Sequence, residues 1–420
     1  MVQRGMLDGL KVAEFAWAIA GPTVAKELAL HGATVVRIES HKRPEINRVS
    51  APYKDGIPGV DRSPSFSVIN PNKYAMSLDL TKSKAREVAK KLVAWADIVT
   101  ESMSPGSMAR LGLDYESCRQ IRPDIIYFST CQMGQKGPYS ALGGTGPMGS
   151  AYAGLSYLTG WPDRPPVVLS NAYTDFVSPP YLASAVLAVL DYRRRTGKGI
   201  YLDQSQIEAG VTFWGAGLLD YTVNGRIPSR VGNRDPNMSP HGAFPCLGND
   251  RWVTIAVATE AEWRALCCAM GSPEWAVGSR FATLLGRKEN EDELEPLIAE
   301  WTKDYSAEEV MTMLQDLGVA AGVVSNAQGL FEDAQLKHRG HFVPLEHKVI
   351  GVHHYHAPPY RLSKTPAQLR RAAPCLGQDN EFVYKEILGY SDEEVTQFLL
   401  DGIITTELDV PDILKPKRPR

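Results

Sequence analysis

Two rhythms of apolar and polar positions alternate along the first half of the chain. Lys11–Trp17 (KVAEFAW) is apolar enough for a buried strand. Gly21 and Pro22 open a helical segment from Thr23 to His31, and Gly32 ends it. Ala33–Ile38 (ATVVRI) then predicts a second strand with Glu39 at its end. Strand, helix and strand in such close succession make a βαβ unit, the seed of a parallel sheet. The rhythm continues with helical periodicity over Lys82–Trp95 and short strands at Asp97–Thr100 and Ile125–Ser129. The repetition predicts an α/β fold with a Rossmann-like, doubly wound parallel sheet.

Further along, Tyr139–Gly149 is rich in Gly, Pro and Ser and reads as a surface loop, and Val167–Tyr173 as a short extended stretch. Pro179–Arg195 predicts an amphipathic helix, with Pro179 in its first turn, Arg193 to Arg195 in its last, and Gly197 as its stop. Tyr201–Asn224 reads as another helical stretch. After Gly225 the texture changes: Gly232–Gly248 is loop-like, Trp252–Ala256 a strand, Glu260–Met270 and Glu293–Trp301 helices, and Ala320–Val324 a closing strand. These elements predict a smaller α+β domain over residues 225–325. Beside it stands a large domain of residues 1–224, completed by 326–420, which is loop-rich and ends in a helix near Glu381–Leu388.

A chain of 420 residues is too long for one ordinary core, in keeping with two domains. Hydrophobic residues at 44% and charged residues at 22% are the balance of a soluble globular protein. A net charge of −3 offers no basic surplus to recruit nucleic acid or an anionic membrane, and the short, Pro-interrupted basic tail from Lys415 to Arg420 does not alter that. No run of about 18 apolar residues predicts a membrane span, and MVQRGMLDGLKVAEF lacks the pattern of a signal peptide. The six cysteines form no Cys-x-x-Cys pair, which suits a reducing compartment. The expectation is a cytoplasmic protein with no nucleic-acid or membrane partner.

Candidate chemistry is sparse when each motif is taken alone. Gly144–Gly149 (GTGPMG) spells the dinucleotide fingerprint, but that motif needs a strand just before it and Gly137-Pro138-Tyr139 is a turn. A loop over a site fits better than nicotinamide binding. Ala20-Gly21-Pro22 lets the backbone approach a ligand at the mouth of the sheet yet lacks the pyrophosphate turn, even with Glu39 where a ribose-binding acid would stand. His353, His354 and His356 resemble a metal cluster. Neighbours would alternate faces in a strand, and no Cys or acidic partner is suitably spaced, so a solvent-facing loop and no metal are expected. There is no Gly-x-Ser-x-Gly elbow. Asp175 stands between the apolar Val167–Leu169 and the helix near Pro179. By position alone a capping or turn aspartate outweighs a catalytic one.

The motifs read in order change that balance. Leu10–Glu39, then Asn70-Pro71-Asn72-Lys73 with Ser77-Leu78-Asp79-Leu80, then Asp97–Gly112 (DIVTESMSPGSMARLG), Pro123–Gly137 and Leu158–Pro166 follow one another as in class III coenzyme A transferases. Thr174-Asp175 and the helix to Arg194, Thr196, Gly197, Gly199 and Asp203 resemble that family's catalytic block. The likeness, of the formyl-CoA and carnitine CoA-transferase type, covers most of the chain and is strongest over residues 7–210. The run Leu219–Gly225 looks closest to a branch acting on benzylsuccinate.

The resemblance implies a transferase that moves coenzyme A from an acyl-CoA donor to a carboxylic acid, with Asp175 as covalent nucleophile. It implies coenzyme A contacts at Trp17, Ala18, Ala20, Gly21, Pro22, Arg37, Lys73, Ser102, Met103 and Arg110, where Ser102-Met103 departs from the family's Asn-Phe. It implies no tightly bound cofactor, since the coenzyme A thioester is a substrate. It further implies an interlocked dimer, either of this chain or with a homologous subunit. The glycine-rich segment 143–149 is a candidate source of oxyanion donors. Trp17, Tyr152, Phe213 and Trp214 are candidates to line an acyl pocket, although aromatics on helices are more often core. His241 is a site candidate whose plainer reading is a loop histidine. Two rivals remain. An acyl-CoA racemase of the same fold would need a His-Asp segment where this chain has Gly144-Thr145-Gly146-Pro147. A non-catalytic subunit would have no use for Asp175.

Overall fold

A computed structural model describes residues 5–169 and 172–415. The chain divides into two compact units, the larger being Met1–Leu155, Val168–Gly225 and Gln335–Arg420 and the smaller Ser156–Val167 and Arg226–Ala334.

In the larger unit, strand β1 (Lys11–Glu14) leads through helix α1 (Ala20–Leu30) to β2 (Thr34–Glu39). Then come β3 (Tyr74–Ser77), α2 (Ser83–Trp95), β4 (Ile98–Glu101), β5 (Ile126–Cys131), α3 (Gly146–Tyr152), α4 (Tyr173–Thr196) and β6 (Tyr201–Ser205). Helices α5 (Gln206–Thr212) and α6 (Ala216–Asn224) follow. The six strands are all parallel, in the order β3-β2-β1-β4-β5-β6. This is the doubly wound order, with its switch point between β1 and β4.

Period-two alternation explains both faces of the sheet. Val12, Val35, Ile98 and Ile126 face one way, packed under Val24 and Leu28 of α1 and Leu182 and Val186 of α4. Ala13, Val36, Val99 and Tyr127 face the other way, against Val88, Leu92 and Val93 of α2. Central strands covered on both sides read as unbroken apolar runs, which is why they were legible.

The smaller unit holds β7 (His241–Pro245), β8 (Trp252–Ala256), α7 (Glu260–Ala269), α8 (Glu291–Thr302), α9 (Ala307–Asp316) and β9 (Ala320–Val323). Its sheet is antiparallel in the order β7-β8-β9. Val253 and Ile255 of β8 point into a core with Trp263, Leu266, Leu294, Ile298, Val310 and Leu314.

Back in the larger unit, β10 (Phe342–His347) and β11 (Gly351–His356) form a hairpin, and α10 (Asp392–Leu400) lies near the C-terminus. The C-terminal segment closes the open edge of β3. Asp379 Oδ2 accepts the Ala75 N–H at 2.9 Å, Asn380 Oδ1 accepts the Ser77 N–H at 2.8 Å, and the Asp379 N–H donates to the Ala75 carbonyl at 3.0 Å. An edge strand covered in this way cannot template pairing with another chain.

Several expectations change. Helix α4 begins at Tyr173 instead of Pro179, so both Pro179 and Pro180 lie inside it. Proline favours a first turn but is tolerated one turn deeper, where it leaves carbonyls near the start of the helix without an N–H. Asp175 therefore sits in the first turn rather than ahead of it. The stretch Val167–Tyr173 includes residues 170 and 171, which lie outside the described residues, and Tyr173 is already helical. Tyr201–Ser205 is the sheet's edge strand rather than helix; its half-exposed pattern carries no long apolar run. Two loop-like regions hold strands, β7 within 232–248 and the hairpin β10–β11 in the C-terminal part. His353, His354 and His356 lie on β11, and His347 opposite Gly351 on β10 is buried. Its Nδ1 accepts the N–H groups of Val349 and Ile350, and burial pulls its pKa down to about 4. The terminal helix near 381–388 is a π-helical turn, Phe382–Ile387.

Among the described residues no helix is long and apolar enough to cross a membrane, and no group of His, Cys, Asp or Glu is placed to hold a metal ion.

At the carboxyl end of β1, along β2 and at the start of β3 lies a buried ion-pair network. Arg37 faces Glu14 at 3.4 Å and Glu39 at 3.2 Å, Arg48 faces Glu39 at 2.7 Å and Asp61 at 2.6 Å, and Lys73 faces Glu14 at 2.9 Å. Burial alone would raise the Glu39 pKa, but Arg48 and Arg37 outweigh it and hold it below the usual range. Arg37→Leu would leave Glu14 and Glu39 with an unbalanced buried charge. A loss of about 3–5 kcal/mol is expected, read as a clear fall in thermal midpoint, whereas Arg110→Ala on the exposed surface should stay within about 0.5 kcal/mol. Equal melting of the two variants would refute this account.

Candidate active site

Four parallel strands end at one place. Trp17–Ala20 after β1, Ser102 after β4, Gln132 after β5 and Gln206 after β6 all line a cavity of about 430 Å³. The crevice outside the carboxyl ends of a doubly wound sheet, at its switch point, is where such folds bind ligands.

The turn from β1 to α1 forms one wall and is clamped on several sides. The Trp17 N–H donates to Ser102 Oγ at 2.7 Å, and that hydroxyl donates back to the Trp17 carbonyl at 2.9 Å. Ala18 has φ of 60°, a left-handed conformation that strains any residue with a Cβ. Its N–H donates to Glu45 Oε1 at 2.7 Å, and its carbonyl accepts from Asn47 Nδ2 at 2.9 Å. Glu45 is fully buried and also accepts the Asn47 N–H at 3.0 Å. Burial pushes its pKa up, with Arg37 opposing. Arg48, three residues on, roots this segment in the ion-pair network.

Asp175 enters the cavity from the first turn of α4. It is 9% exposed, its N–H donates to the Ala172 carbonyl at 3.0 Å, and its Oδ2 is buried with no hydrogen-bond partner. Among the described residues no cation is paired with it. Burial pushes its pKa up to about 6, with its own backbone N–H as the opposing influence. An unpaired, desolvated carboxylate facing a cavity is costly to keep and marks a functional group.

The glycine fingerprint has a steric meaning here. A Cβ on Gly146 would come within 2.1 Å of Ala172 Cβ and 2.5 Å of Asp175 Oδ2; one on Gly149 would come within 2.7 Å of Thr174 Oγ1; one on Gly144 within 2.4 Å of Gln132 Oε1. These glycines let the start of α3 lie directly against Asp175 and its neighbours. The loop expected over 139–149 is thus a loop that turns into helix at Gly146.

Of the residues implied by the resemblance, the cavity gathers Trp17, Ala18, Ala20, Ser102 and Asp175. Gly21 packs behind the turn, where a Cβ would meet Ala16 Cβ at 2.6 Å. The Pro22 carbonyl accepts from Lys73 Nζ at 2.8 Å. Lys73 is fully buried, and its other two bonds go to Glu14 at 2.9 Å and Asn70 at 2.9 Å; burial pulls its pKa down to about 8. Arg37 is equally buried and donates to the Ala16 carbonyl at 2.9 Å. Arg37 and Lys73 therefore support the turn from beneath and do not line the cavity. Met103 is partly packed against the core under α2, and Arg110 is exposed on a neighbouring short helix, bonded to Ser107 at 2.9 Å. Of the four aromatic candidates only Trp17 lines the cavity. Tyr152 and Phe213 are exposed, and Trp214 packs beside Ala153 and Ile207. His241 belongs to the smaller unit and lines another cavity there.

Glu45, Asn47, Gln132 and Gln206 were not singled out from the sequence, because no motif marks a lone amide or a carboxylate that acts on a distant turn. The glycine spacing at 144–149 was a visible signal, but for close packing rather than phosphate binding.

CoA-transferase family III matches residues 7–380. The succinyl-CoA–D-citramalate CoA-transferase of Chloroflexus aurantiacus is 30% identical over 95% of this chain and 98% of its own length. The succinyl-CoA:glutarate CoA-transferase of Homo sapiens is 27% identical over 95% and 90%. Among solved structures, a CAIB/BAIF family protein from Brucella suis superposes with a TM-score of 0.84 at 31% identity, covering 92% of this chain and 100% of that one. With so much of its length shared, and with the fold and cavity described above, this chain belongs to CoA-transferase family III.

Proposed function

We propose that this enzyme transfers coenzyme A from succinyl-CoA to a small carboxylic acid through covalent intermediates on Asp175. The observation that carries the reading is the Asp175 carboxylate itself, buried, unpaired and turned to the cavity at the switch point of the sheet. The names of the Chloroflexus aurantiacus and Homo sapiens relatives, both of which contain succinyl-CoA, support it as donor.

In the proposed cycle an Asp175 oxygen adds to the thioester carbonyl carbon, the C–S bond breaks, and a mixed anhydride and the coenzyme A thiolate result. The thiolate attacks the aspartyl carbonyl and releases the donor acid, leaving an aspartyl thioester. The acceptor carboxylate then runs the same steps in reverse. Splitting one exchange into acyl transfers conserves the thioester energy. An unpaired carboxylate serves as nucleophile because no cation holds its electron pair in the ground state.

The proposal includes a second chain. Phe213, Leu219, Tyr221 and Val223 are large and exposed along 213–224. Such a cluster needs a cover, and the family resemblance supplies one in a second copy or a homologous subunit. Light scattering of the purified protein tests this, a dimer being expected.

Incubation with succinyl-CoA and hydroxylamine should leave a hydroxamate on Asp175, located by mass spectrometry, with citramalate, glutarate, oxalate and benzylsuccinate as trial acceptors for turnover. Transfer without any adduct at Asp175 would end the covalent reading.

Titration of Asp175 makes a paired prediction. Its folded-state pKa, about 6, lies above the unfolded value of 3.8, so the folded protein holds that proton more tightly. The resulting penalty is absent below the unfolded value, grows as pH rises and is complete above about 6. Asp175→Asn should abolish transfer yet stabilise the protein at pH 8 by on the order of 2–3 kcal/mol, a gain that vanishes by about pH 4. In the wild type, transfer should rise with pH through about 6 as the carboxylate ionises.

Gly146→Ala should lose most activity and lower the thermal midpoint, since the added methyl would occupy space held by Asp175 Oδ2 and by the side chain and backbone of Ala172. Unchanged kcat in that variant would show the close approach to be dispensable.

A further inference from the structure

The ends of β5 and β6 carry two side-chain amides into the Asp175 cavity. These strands pair with Cys131 opposite Ser205, so the next residues, Gln132 and Gln206, leave the sheet side by side. The Gln132 carbonyl accepts the Ile207 N–H at 3.0 Å and the Ser205 hydroxyl at 3.0 Å, which ties the two exits together. Ser205 in turn caps α5 by accepting the Glu208 N–H at 3.2 Å. Both amides are therefore mounted on immobilised backbone, and both line the cavity.

Gln206 is 5% exposed, and its Oε1 is buried without a hydrogen-bond partner. Among the described residues nothing is hydrogen-bonded to its amide. Gln204, two residues earlier, shows what a structural amide does in this fold: its Nε2 donates to the Ser178 carbonyl at 2.8 Å, and its Oε1 accepts from Thr130 Oγ1 at 3.1 Å. The Gln206 Oε1 is an acceptor and can take nothing from an anion; the amide's Nε2 donor also has no acceptor among the described residues, and a cavity-lining donor left open in this way is what an anionic ligand oxygen completes. Among the described residues the cavity lining includes no Lys, Arg or His, so the hydrogen-bond donors there are neutral.

We propose that Gln132 and Gln206 are substrate-contacting residues whose amide N–H groups donate to the acyl oxygen as it becomes anionic. The inference rests on Asp175 being the nucleophile. When an Asp175 oxygen bonds to the thioester carbonyl carbon, the C=O π pair moves to oxygen. That pair returns as the C–S bond breaks and sulfur leaves as thiolate. No proton is transferred in the step, so the site needs donors for an alkoxide rather than a general acid or base. Neutral amides suit the task. A Lys or Arg in their place would pair with Asp175 and with the acceptor carboxylate, depressing their pKa values and their nucleophilicity.

The test uses the full-length protein and the variants Gln206→Met, Gln206→Glu and Gln132→Met. Single-turnover acylation of Asp175 by succinyl-CoA is quenched with hydroxylamine and followed by mass spectrometry, beside steady-state kcat, inhibition by free coenzyme A and the thermal midpoint. Each Met variant should lower the acylation rate and kcat at least tenfold, with inhibition by coenzyme A unchanged within about twofold. Gln206→Glu, which replaces the donor with a second carboxylate in the same cavity, should move the pH–rate profile upward and lower the acylation rate at least as far as Gln206→Met; acylation near the wild-type rate in Gln206→Glu above the shifted pKa would count against the donor role. Acylation within about twofold of wild type in both Met variants would overturn the inference while leaving the Asp175 reading standing. Parallel loss of coenzyme A inhibition and thermal midpoint in Gln206→Met, with Gln132→Met unaffected, would make the amide structural and also overturn it. Absence of label at Asp175 in the wild-type protein would overturn both readings.

Discussion

Charge buried inside the fold is the constraint from which the rest of this site follows. Arg37, Arg48 and Lys73 are enclosed with Glu14, Glu39 and Asp61 around the end of β1, β2 and the start of β3. Each member is tolerable only because the others are present. The network does more than join strands. Arg48 fixes the segment that carries Glu45 and Asn47, and those two side chains hold the peptide groups of Ala18. A backbone conformation that an alanine would not choose is thus imposed from a buried salt bridge. The cavity wall at Trp17–Ala20 inherits the rigidity of the ion pairs under it.

The opposite arrangement holds at Asp175. It has burial like Glu39 but no cation, so its pKa moves up where that of Glu39 moves down. Two carboxylates in one unit are separated in role by what surrounds them. One is a paired structural anion, and the other is an unpaired group facing open space. Backbone shape supports the second. Glycines at 144, 146 and 149 remove the side chains that would otherwise keep α3 away from α4, and the loss of those side chains brings Gln132, Thr174 and Asp175 to a common surface.

Legibility varied with how local the cause was. The central strands β1, β2, β4 and β5 were readable because two covered faces demand an apolar run. The edge strands were not: β6 has no such run, and β3 is held by Asp379 and Asn380 some 300 residues away in sequence, partners no window can contain. The start of α4 was misplaced because Pro179 carried a strong local signal for a first turn, while packing of Thr174, Asp175 and Ser178 extended the helix ahead of it. The family resemblance supplied Asp175 and the β1–α1 turn. It implies coenzyme contacts at Arg37 and Lys73 as well, and the structure places both fully buried beneath that turn.

By itself the sequence determined the α/β class, the apolar runs of the inner strands and the order of motifs that mark a class III transferase. Those features are written in short-range periodicity and in residue types at fixed spacing. Only the tertiary structure decided which polar groups are satisfied. Whether Lys73 is enclosed, whether Gln204 is paired and Gln206 is not, and whether a glycine marks a phosphate turn or a close contact all depend on neighbours brought in by folding. Hydrogen bonding and desolvation are properties of that assembled environment, and no residue carries them alone.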